Sequence, residues 1–69
     1  MKEVLEGILE AIEEEKAAQK KYIRLKEQSD SKKAKALFDQ LIKDEVEHER
    51  LLRSRYEALK SRIEDEVGN

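Results

Sequence analysis

Residues 28–31 read Gln28-Ser29-Asp30-Ser31, and no other stretch punctuates the 69-residue chain. Short Ser and Asp side chains bond to nearby backbone groups, so they compete with helical hydrogen bonding and supply a cap for a helix that follows. On both sides the chain has the composition of long helices. Proline is absent, glycine occurs twice, aromatics are 4% and charged residues 46%, and Ala, Glu, Lys, Leu and Arg dominate. The reading is an all-α chain with helix 1 over about residues 2–28, a turn at 29–31, and helix 2 over about 32–66, ended by Gly68-Asn69. At 1.5 Å rise per residue these helices are about 40 and 52 Å long, and so short a connection forces them antiparallel. There is no linker, low-complexity tract or second domain.

Working outward from the turn, both halves carry strong apolar periodicity. In helix 1 the positions Val4, Ile8, Ala11, Glu15, Ala18, Tyr22 and Leu25 alternate steps of four and three, a heptad seam with one polar intruder. In helix 2 the seam runs Ala34, Phe38, Leu41, Glu45, His48 and Leu52, then Tyr56, Leu59 and Ile63 after a one-residue adjustment. Second lines of apolar residues (Leu5, Leu9, Ile12, Ile23; Leu37, Ile42, Val46, Leu51) widen each stripe beyond what a two-helix contact covers. A chain this short rarely buries enough apolar surface to hold a fold alone, so a staple or a partner is expected, and a twofold copy would cover the wide stripes. Leu59, Ile63 and Val67, beyond the reach of helix 1, are expected to pack on a further subunit. Gly7 reads as a tolerated glycine near a frayed end, with a close helix contact as the other reading.

Composition also excludes functions. Without cysteine there are no disulfides, zinc knuckles, thiolate iron sites or thiol catalysis. Fifteen basic against seventeen acidic residues leave a net charge of −2, so no basic surface advertises nucleic acid. No apolar run approaches the roughly 20 residues of a membrane span, and the opening MKEVLEGILE is too acidic for a signal peptide. A soluble, cytoplasmic protein that binds neither nucleic acid nor membrane is expected.

The polar intruders converge. Glu15 precedes Asp30 by the interval at which Glu45 follows it, so on an antiparallel hairpin both stand in one layer, and His48 shares the face of Glu45 at i, i+3. Ionised carboxylates turned toward a core are costly unless paired, and two together are worse. A cation between them reverses the argument. A twofold copy doubles the set to four carboxylates and two imidazoles, enough negative charge for two divalent ions about 3.5 to 4 Å apart. Oxygen-rich ligation with some imidazole and no thiolate suits iron or manganese.

At these residues the chain resembles the ferritin-like di-iron family, including rubrerythrins and especially encapsulated ferritins. That family's four-helix bundle takes a Glu from each of two helices and a Glu-x-x-His from each of the other two. The matching residues are Glu15 in EEEKAAQKKY and Glu45-Val46-Glu47-His48 in DEVEHERLL. Tyr22, seven residues after Glu15, matches the family's tyrosine two turns past the helix 1 ligand. The resemblance implies a helical hairpin that dimerises into a ferritin-like four-helix bundle, or into rings of such dimers. It also implies a ferroxidase whose di-iron centre is shared between two subunits, with Glu15, Glu45 and His48 as metal ligands and catalytic residues, and Tyr22 in an auxiliary role. Iron is the implied metal, with manganese or zinc as substitutes, and an encapsulating shell protein is the implied partner for mineral storage, within a nanocompartment. The chain departs from the pattern in its acidic end IEDEVGN, which is no convincing shell-targeting peptide, and in lacking the cysteines of a rubredoxin-like electron-transfer domain.

Each residue also has a plainer reading. With 13 glutamates in the chain, a lone histidine has one three places earlier about one time in five by composition, so the motif gains weight only from its seam position. In a non-catalytic helical homodimer, Glu15, Glu45 and His48 would set register as buried polar residues do in coiled coils; a purely structural di-metal site is a further alternative. Tyr22 in a seam is ordinarily core, and Phe38, Leu41 and Leu52 read as packing. Glu14 and Glu49 read as solvated-face residues, or else as a secondary metal site that guides incoming cations. Arg50 and Arg53 are expected to pair with surface acids.

Overall fold

The computed structural model describes the backbone of residues 2–68 and the side chains of residues 2–64. Two helices form, α1 over Lys2–Gln28 and α2 over Lys32–Gly68. They fold back on each other as an antiparallel hairpin measuring 58 by 15 by 11 Å. Both helices start where the sequence places them, and α2 is helical to Gly68, the last residue whose backbone is described. Val67 lies outside the residues whose side chains are described, so its part in the apolar overhang does too.

The turn is held by its serines. Ser31 caps α2: its Oγ accepts from the Ala34 N–H at 3.2 Å and its carbonyl accepts from the Lys35 N–H at 2.9 Å. Ser29 closes α1 by donating its N–H to the Lys26 carbonyl at 3.1 Å, and its Oγ accepts from the Ser31 N–H at 3.3 Å. Lys26 Nζ then braces the helices across the turn on Asp39 Oδ1 at 2.6 Å. Both side chains are partly exposed, so this pair contributes at most about 1 kcal/mol.

Between the helices the seam residues are mostly half-buried. Ile12, 3% exposed, is the one described residue that a single hairpin buries. Tyr22 stacks on Phe38 across the hairpin, with ring centroids 6.4 Å apart and planes at 23°. Of the second apolar lines, Leu9, Ile23, Leu37, Val46 and Leu51 stay open to solvent, as does Val4 at the end of the seam, all 43 to 58% exposed. Apolar area left in water at about 25 cal/mol per Å² is stabilisation the single hairpin does not collect. Among the described residues, no helix is long and apolar enough to cross a membrane.

Gly7 has nothing within 4 Å of the point where a Cβ would sit, so no helix contact within the hairpin requires it. Two substitutions of opposite sign follow. Gly7→Ala should raise stability by up to about 1 kcal/mol through helix propensity. Ser31→Ala should lower it by about 1 kcal/mol through the lost cap, with Ser31→Asp retaining it. Urea midpoints at fixed protein concentration check both, and a destabilising Gly7→Ala would mean that another chain packs on that glycine.

Candidate metal centre

Midway along the hairpin, Glu15 from α1 and Glu45 and His48 from α2 meet. Each residue offers one ligand atom, and these atoms all lie within 4.8 Å of one another. His48 Nδ1 is 3.7 Å from Glu15 Oε2 and 3.8 Å from Glu45 Oε2, close enough for charge to matter but too long for hydrogen bonds. The local sequence explains the convergence. Glu15 occupies a seam position of α1, and the i, i+3 spacing of Glu45 and His48 puts both on the hairpin-facing side of α2.

Burial within the group is uneven. The side chains of Glu15 and Glu45 are 23% and 18% exposed, whereas that of His48 is 55% exposed. In the single hairpin the imidazole therefore stands at the rim of the layer, where the sequence pattern placed it in the core. Leu51, three residues after it on the same flank of α2, is 43% exposed.

Glu15 Oε2 is the telling atom. It is a buried side-chain oxygen with no hydrogen-bond partner, and a buried polar group left unpaired costs about 1 to 3 kcal/mol, more when charged. Native folds seldom leave such an atom orphaned without a functional reason. A divalent cation fits what is missing. The donor set of two carboxylate oxygens and one imidazole nitrogen suits iron, manganese or zinc, and two carboxylates balance the charge of one such ion. Donors each about 2.1 Å from one ion lie about 3 to 3.5 Å apart, so the two separations to Nδ1 need close only slightly.

The other acids nearby are otherwise engaged. Glu49 Oε1 accepts from Gln19 Nε2 at 2.8 Å and Glu49 Oε2 accepts from Arg53 Nε at 2.8 Å. The Gln19 bond first, then the Arg53 bond, hold the Glu49 carboxyl below its ordinary range. The Gln19 amide also reaches the Glu45 carbonyl at 3.4 Å. Glu47 pairs with Arg50, which lowers the carboxyl and raises the guanidinium. Glu14 is exposed, and neither Glu14 nor Glu49 belongs to the converging group. The sequence leaves both open as solvated-face residues or as a secondary cation site; in the hairpin both Glu49 oxygens hold other partners. Tyr22 has a packing partner in Phe38. Gln19 is the residue the sequence reading passed over, although its position one turn after Glu15 was a usable signal.

Removing the orphaned charge separates stability from binding. Glu15→Gln should stabilise the metal-free protein by about 1 kcal/mol, since an amide ends the repulsion and can donate to Glu45. The same change should abolish stoichiometric Mn(II) binding. Thermal melts in chelator and calorimetric titration with Mn(II) check the two halves.

The geometry meets an independent finding in comparison with known proteins. No curated protein and no solved structure matches the chain. A family model described as Rubrerythrin matches residues 3–68, a span that takes in both helices, the turn and all three converging residues. The chain belongs to the rubrerythrin family, a ferritin-like family of di-iron proteins.

Proposed function

We propose that this chain is a ferroxidase whose metal centre is completed by a second copy of itself. Membership of a family that covers di-iron oxidoreductases makes an oxidoreductase the starting point. The observation that carries the finer reading is the orphaned Glu15 oxygen among three donors that lie within 4.8 Å. Ferrous iron is the substrate. Glu15, Glu45 and His48 of each chain would hold it, with four carboxylates in the dimer balancing two divalent ions. Bound iron supplies one electron per ion to dioxygen or peroxide.

The chain's own part is positioning and charge. Glu15 and Glu45 stand ready from opposite helices, so little ordering remains to be done when the ion arrives. His48, more exposed, faces the side from which a second hairpin would approach. The same second hairpin answers the open apolar flank of Leu37 and Leu51, whose exposure supports dimerisation. Three donors are half of the family's ligand set, and the twofold copy supplies the remainder. Assembly of dimers into larger rings, and enclosure by a shell protein in the cytoplasm, extend this reading.

Anaerobic addition of one Fe(II) per chain followed by air should give near-ultraviolet ferric absorbance and oxygen uptake above buffer. The triple replacement Glu15→Leu, Glu45→Leu and His48→Leu should lose both while remaining helical. Metal analysis with subunit mass on the same sample should return one metal per chain in an even-numbered oligomer. Oxidation no faster than in buffer would end the ferroxidase reading, and a monomer that binds metal would end the shared centre.

A further inference from the structure

Glu49 poses a question that the proposed centre leaves open. It follows Glu45 by one helical turn, and a carboxylate at i, i+4 from a metal ligand is well placed to become another ligand. Two like charges at this spacing repel, and a cation would relieve the repulsion. Yet Glu49 stands outside the converging group, although it is only one-fifth exposed and close at hand.

Its two oxygens explain why. The Gln19 amide, from the opposite helix, donates to one at 2.8 Å, and the Arg53 guanidinium donates to the other at 2.8 Å. The Gln19 amide also spans back to the Glu45 carbonyl at 3.4 Å, so it is fixed to the same turn of α2 that carries the carboxylate it holds. Arg53 adds the positive charge that a cation would otherwise provide. Between them the two residues give each oxygen of Glu49 a donor outside the converging ligands.

We propose that Gln19 is a positioning residue which, together with Arg53, keeps Glu49 out of the metal centre and so fixes the donor set of each chain at Glu15, Glu45 and His48. The inference rests on the metal reading of those three residues and goes beyond it. Donor number matters chemically. A fourth donor, and a third carboxylate, tightens the hold on hard divalent ions and fills a coordination position that an oxidant needs. A centre that must take up ferrous iron and react it benefits from a set held at three. A glutamine suits the task because its amide donates without adding a charge or a competing carboxylate.

Mn(II) serves as the probe, in calorimetric titrations of four proteins: the natural chain, Glu49→Gln, the release variant Gln19→Leu with Arg53→Ala, and that variant with Glu49→Gln added. The natural chain and Glu49→Gln should bind Mn(II) alike, within about twofold. The release variant should bind about tenfold tighter, which is about 1.4 kcal/mol, and adding Glu49→Gln should return it to the natural value. A residue that merely holds the helices together could lower stability or weaken binding, but it would not produce a gain that depends on Glu49. Should the release variant lose helical circular dichroism, Gln19→Met alone takes its place, with about a threefold gain expected. Weaker binding by Glu49→Gln in the natural background would overturn the inference, because Glu49 would then already be a ligand; so would a release variant with no gain. Failure of all four proteins to bind Mn(II) would overturn the metal reading itself and this inference with it.

Discussion

The hairpin is organised around a repulsion. Glu15 and Glu45 turn their carboxylates into the seam of a molecule that, as a single chain, buries only Ile12 among the described residues. Any cooperative core would be stronger with leucine at both positions, since replacing buried charges by apolar groups is often neutral or favourable. The chain instead concentrates its least stable contact at mid-length and spreads its support elsewhere: the serine-capped turn, the Lys26–Asp39 brace, the Tyr22–Phe38 stack and Ile12. Stability given up at one layer is the common signature of a binding site.

Much of this was legible in the sequence because it depends on local rules. A serine before a helix start, heptad spacing and an i, i+3 pair are readable from spacing alone: Ser31 caps α2, both helices form, and Glu45 and His48 come within 3.8 Å. What escaped depends on three-dimensional competition between partners. Glu49 reads equally well as solvent-facing or as a spare ligand until Gln19, from the other helix, is seen to claim one of its oxygens. The exposure of His48 is a second case. Seam position says which side of a helix a residue takes, but a two-helix contact is narrower than the stripe, and the edge of the stripe falls at the imidazole.

The same narrowness links assembly to chemistry under the proposed function. A two-helix contact covers neither the apolar flank carrying Leu37 and Leu51 nor the rim at His48, and one chain brings three donors where the family's centres use six. A second copy would answer both shortages at one surface. Metal and dimer would then stabilise each other by mass action, since anything that binds only the assembled form shifts the equilibrium toward it. A small chain without cysteine has few other means of stapling its fold. On this argument the ion is both cargo and staple, and the carboxylates that weaken the isolated hairpin are what make the assembled one respond to metal.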